Sequence, residues 1–203
     1  MKRITPVILL AAALLPTFAA QAERIISFTP PQLGTPEARV GGGTRGLPIH
    51  PAQAAAQVQL LAASQTGLSS LSAPTLYWHT SNIPPYSVEV TVQQGNNKPL
   101  LKKNIGFIKK AGIQAIRLAD YGIKLTDGED YTWSVALITD TKQRSADLLI
   151  DASIRYQKPT TPMSDFTQMT AAGYWYDAVA ELVETKSPKL QDVLSQEGIS
   201  IDN

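Results

Sequence analysis

The chain has 203 residues, with 18 Lys and Arg, 17 Asp and Glu, two His and no Cys, and a formal net charge of +1. Without cysteine there is no disulfide framework and no thiolate for zinc or an iron–sulfur cluster. The near-neutral balance supplies no overall basic field, so neither nucleic acid nor anionic lipid is an expected partner.

The first residues set the expected compartment. Lys2 and Arg3 precede an apolar run from Val7 to Leu15, and Ala20-Gln21-Ala22 follows as a small-residue cleavage signal. This order of basic, apolar and small residues predicts a secretory signal peptide over residues 1–22, cut after Ala22. The run is shorter than the roughly 20 apolar residues of a spanning helix, so no membrane insertion is expected once it is removed. The processed chain of roughly 180 residues can bury one core of ordinary size and is expected to be periplasmic or secreted.

Residues 23–57 read as an arm. Pro30, Pro31, Pro36 and Pro51 flank the segment Arg39 to Pro48, "RVGGGTRGLP". Its G-x-G-x-x-G is not expected to bind a nucleotide. Such a site needs a buried strand before the glycines and a helix after them, and here prolines stand on both sides. It is not a P-loop either, since no Lys-Ser or Lys-Thr follows Gly46. Instead the three successive glycines predict a wrapping loop, with Arg45 held by a carboxylate such as Asp147 or Asp177.

From Val58 to Lys158 the pattern is β. A first strand is expected from Val58. Leu76, Trp78 and Thr80 then alternate with Tyr77, His79 and Ser81, and Val88, Val90 and Val92 with Glu89, Thr91 and Gln93. Gly95-Asn96-Asn97 predicts a hairpin turn, with a return strand from Leu100 to Phe107 whose Lys102 and Lys103 suit an edge. Further strands are expected at 113–118, 131–139 and 146–156. "TDGEDY", Thr126 to Tyr131, reads as a solvated hairpin tip, because its acids depart from the spacing of a calcium loop. Short strands at this spacing predict an antiparallel β-sandwich of the fibronectin or immunoglobulin-like kind.

Residues 159–203 change period and predict a short helical appendage packed on the sandwich. Asp165 and Gln168 form a capping box; Trp175, Val179 and Leu182 recur at helical spacing. Ser187, Pro188 and Gly198 then read as N-cap, first position and stop of a last helix.

Candidate chemical groups are few. His50 and His79 are the two imidazoles, and no partner motif accompanies either, so a structural role is expected for each. No catalytic residue, metal ligand or cofactor is expected. Arg144 and Asp147 are expected to anchor a turn between two strands. The triplet Trp175-Tyr176-Asp177 is expected to dock a helix, the alternative being an exposed aromatic patch.

The segments "FTPPQLGTPEARVGGGTRG", "PTLYWHT", "YTWSVALITDTKQRSADLLIDASIR" and "GYWYDAVAEL" occur in this order. Together they resemble the bacterial family catalogued as domain of unknown function 928, found in cyanobacteria and some proteobacteria. The resemblance implies exported proteins and supplies no activity, cofactor or catalytic residue. Two functions are carried forward. One is a non-enzymatic accessory protein engaging another envelope or secretion-system protein. The alternative is a carbohydrate- or small-ligand-binding module, with or without weak hydrolase activity, using Trp78, Trp133 and Trp175 as stacking platforms.

Overall fold

The computed structural model describes residues 26–31, 33 and 58–201. The expected leader, the glycine run and Arg45 lie outside the described residues, as does His50. In chain order the elements are β1 (Val58–Leu60), β2 (Gly67–Ser69), β3 (Thr75–Thr80), β4 (Ser87–Gln93), β5 (Leu101–Phe107), β6 (Gly112–Arg117), β7 (Asp130–Ile138), β8 (Leu148–Tyr156), α1 (Phe166–Ala171), α2 (Trp175–Glu184) and α3 (Leu190–Ser195). The fold is mainly β. A three-stranded sheet has the order β1-β3-β6 and a five-stranded sheet the order β2-β8-β7-β4-β5. Residues of both sheets and of the helices share one apolar core.

The alternation on β4 works as the pattern demands. Val88, Val90 and Val92 are fully buried, and Glu89 and Thr91 point to the opposite face. Gly95 takes a positive φ of 52° in the turn, and β5 returns antiparallel to become the edge of the larger sheet. Its register slips by one residue beside Val88, a bulge that leaves Ile105 without an opposite number.

Two expectations are corrected. The pairing is not wholly antiparallel: β2 runs parallel to β8, with Gly67 opposite Ile154 and Ser69 opposite Tyr156. The alternation on β3 buries both sets of residues. The strand is the middle one of its sheet and is buried on both faces, with the Tyr77 hydroxyl reaching Glu184 of α2 at 3.3 Å. "TDGEDY" is not a hairpin tip, because β6 and β7 belong to different sheets and the turn carries the chain from one to the other. Its acids are all engaged. Asp127 accepts from the Lys158 amide, Glu129 from Gln94, and Asp130 holds Arg155 through two bonds of 2.7 and 2.6 Å.

The C-terminal helices follow their caps. Asp165 accepts the amides of Thr167 and Gln168 at the start of α1, while the Gln168 side chain reaches back to the Ser164 amide. That is a capping box displaced by one residue on its return arm. The last helix begins later than expected, at Leu190, because Ser187 to Lys189 form a preceding turn in which Ser187 accepts the Lys189 amide. Between them α2 touches β2 of the larger sheet and β3 of the smaller one. Residues 26–31 pack alongside: the Phe28 ring meets Trp175 edge-on at 4.8 Å, and the Thr29 amide donates to the Thr170 carbonyl. Gly173, at φ 83°, leaves the space that Pro31 fills.

Candidate functional site

The aromatic and acidic candidates on α2 are structural. Trp78, Trp133 and Trp175 are all 0 % exposed, so none offers a face to a sugar. The stacking platform that the alternative reading placed on these three indoles is therefore withdrawn. Trp175 donates its Nε1–H to the Leu61 carbonyl at 3.0 Å, and Trp133 donates to the Tyr176 hydroxyl at 2.8 Å. Tyr176 in turn donates to the Ser153 carbonyl at 2.9 Å, and its burial pushes the phenol up from its ordinary range. Asp177 stands in the first turn of α2 and accepts from the Ser69 hydroxyl and the Ser70 amide at 3.0 and 2.6 Å. Burial raises its pKa, opposed by those same hydrogen bonds. The triplet docks the helix; it is not an exposed patch.

His79 is also buried, on β3 between Gln59 and Ile113 in register. Among the described residues, no group of three His, Asp or Glu side chains is arranged to hold a metal ion.

Arg144 is placed differently. It opens a 3-10 turn, Arg144–Ala146, between β7 and β8, and its Nε donates to Asp147 at 2.5 Å as the i,i+3 spacing suggests. Its Nη2 reaches across to Glu89 of β4 at 2.7 Å. Asp147 also accepts the Thr139 amide, and the Thr139 hydroxyl donates to the Ala146 carbonyl. The turn is therefore tied at both ends. The Glu89 and Asp147 side chains are only 12 % and 7 % exposed, whereas Arg144 is 44 % exposed. These two hydrogen bonds raise the guanidinium pKa, Glu89 contributing more than Asp147. Both carboxylates proposed for Arg45 thus already have partners, Asp147 in this turn and Asp177 on α2.

The row beneath this arginine defines a surface. Glu89, Ala136 and Leu149 lie opposite one another on β4, β7 and β8. They face away from Val88 and Val90, on the outer side of the larger sheet. Leu149 is 49 % exposed there. The guanidinium is fixed by two carboxylates, and Leu149 protrudes from the same row two strands away from Glu89. Local spacing revealed the Arg144–Asp147 pair. Neither Glu89 nor Leu149 was singled out, because their relation to Arg144 exists only once β4, β7 and β8 are in register.

The profile of the family described as Domain of Unknown Function (DUF928) matches residues 40–198. The chain belongs to this family. The DUF928 match runs through both sheets and all three helices and so includes every surface described above. No curated protein matches the chain. Among solved structures, the crystal structure of an engineered protein, a Northeast Structural Genomics Consortium target, is similar at 17 % identity with a TM-score of 0.32. That similarity covers 49 % of this chain and 20 % of the other.

Proposed function

We propose that this DUF928 protein is an exported, non-catalytic accessory protein that binds another protein of the cell envelope or of a secretion system. The observation that carries the reading is Arg144, held by Glu89 and Asp147 on the outer face of the larger sheet, in whose Glu89 row Leu149 is exposed. Arginine fixed before binding loses little further entropy on contact, and arginine is enriched at the energetic centres of protein interfaces. The basic, apolar and small-residue order of residues 1–22 supports export. The shared core of the two sheets supports a sandwich of the fibronectin or immunoglobulin-like kind, varied by the parallel β2–β8 edge.

Affinity capture of the tagged, processed chain from its native host, under mild crosslinking, tests this reading. One envelope protein is expected to be enriched with wild type and lost with Arg144→Ala combined with Leu149→Asp. Equal recovery with both chains, or recovery of nothing above background, contradicts it.

A further inference from the structure

The near-neutral total conceals a segregation of charge. Of the 18 basic and 17 acidic residues, seven of the former and one of the latter, Asp120, lie between Lys98 and Lys124. The fold gathers this stretch on one side. β5 is an edge of the larger sheet, β6 is an edge of the smaller, and the two are consecutive in the chain. Lys103 of β5 lies 6.0 Å from the ring of Tyr121, in the 3-10 turn that follows β6. The basic side chains of the stretch are exposed, and apart from Lys102, 3.8 Å from Glu89, they make no salt bridge among the described residues.

Apolar side chains protrude between them. Phe107 is 66 % exposed, Leu100 43 %, Tyr121 39 % and Ile105 36 %. Edge lysines and a bulge deter pairing of β5 with another strand, and that role accounts for Lys102, Lys103 and the register slip. It does not account for Lys109 and Lys110, which lie beyond the strand, or for the exposed Phe107. Protein interfaces are depleted in lysine and gather their apolar residues at a buried centre. Here single apolar tips are spaced among lysines, the pattern of surfaces that sit in the headgroup region of anionic bilayers.

We propose that the β5–β6 side adsorbs to an anionic phospholipid bilayer, with Phe107 and Ile105 entering the headgroup boundary and the lysines on the phosphates. Adsorption needs no spanning helix, and none of the described helices is long and apolar enough to be one. It adjoins the protein contact proposed at Arg144, since Lys102 and Arg144 share the Glu89 carboxylate. The expectation that anionic lipid is no partner rested on net charge alone, which averages over this side and the acidic remainder.

Co-sedimentation of the processed chain, beginning at Glu23, with vesicles tests the proposal. Binding is expected to equimolar phosphatidylglycerol–phosphatidylcholine vesicles at low salt, at least about tenfold tighter than to phosphatidylcholine alone, and is expected to fall at about 0.5 M salt. Replacing Lys103, Lys109 and Lys110 by Glu should abolish it, whereas Lys158→Glu with Lys189→Glu should leave it intact. Phe107→Ser should weaken it several-fold while the melting temperature is retained. Equal binding to both vesicle types, or binding unaffected by Phe107→Ser, overturns the proposal. So does capture by polyglutamate without capture by the anionic vesicles, which would point to an acidic polypeptide instead.

Discussion

The Tyr176 hydroxyl joins α2 to the larger sheet by accepting the Trp133 indole N–H at 2.8 Å while donating to the Ser153 carbonyl at 2.9 Å. All three groups are buried, so each depends on the others for its hydrogen bonds. Tyr176→Phe keeps the ring and strands both partners. It is expected to cost about 2–4 kcal/mol, read as a lower urea midpoint with an unchanged slope. Because its phenol is raised, Tyr176 should also remain protonated as the exposed tyrosines ionise, which absorbance at alkaline pH can follow.

Asp177 ties the start of α2 to the end of β2 through Ser69 and Ser70. Its folded-state pKa is raised, chiefly by burial, so the folded chain holds the proton more tightly than the unfolded one. The stability this linkage contributes is fully present below the unfolded value of about 3.9 and is lost as pH rises through the folded value. Asp177→Asn removes that dependence. Its penalty, measured by denaturant titration across the acid range, should be largest at low pH and shrink as pH rises. A penalty that grows with pH would reverse the sign.

Lys186 follows α2 at φ 52°, the single non-glycine residue with positive φ among the described residues. Its amide donates to the Val183 carbonyl and that of Ser187 to Leu182, a Schellman ending in a position that suits glycine. Lys186→Gly should therefore raise stability by about 0.5–1 kcal/mol in thermal melts.

Arg144→Ala should act on binding more than on folding. The guanidinium is 44 % exposed and its two ion pairs are screened, so the stability lost is the modest cost of leaving Glu89 and Asp147 with fewer partners. A fall in melting temperature of at most about 2–4 °C is expected, alongside loss of the captured partner. Unfolding of the variant would show the turn to be structural only.

Much of the fold was legible because local rules agreed with the tertiary outcome. The valines of β4, the Gly95 turn, the edge lysines of β5 and the Asp165 cap each carry their instruction within a few residues. β2 was not legible, since Gly67, Leu68 and Ser69 become a strand only through pairing with β8, far along the chain. Gly67 is needed there because a Cβ would come within 2.9 Å of the Tyr176 ring. The second buried face of β3 was hidden for a similar reason, as packing contributed by other elements creates it. At the candidate site Arg144 and Asp147 are three residues apart and could be paired by eye, whereas Glu89 is 55 residues from Arg144. The basic side was present in the sequence but was lost in the total charge.

Site-specific photocrosslinking in the native host addresses the proposed function most directly. A photoreactive amino acid is placed at Leu149, in the row of Glu89, and separately at Lys158, just beyond the other end of β8. The expected result is a single adduct with one envelope protein from position 149, absent from position 158 and abolished by Arg144→Ala. No adduct from position 149, or the same adducts from both positions, would contradict a partner-binding role for this face.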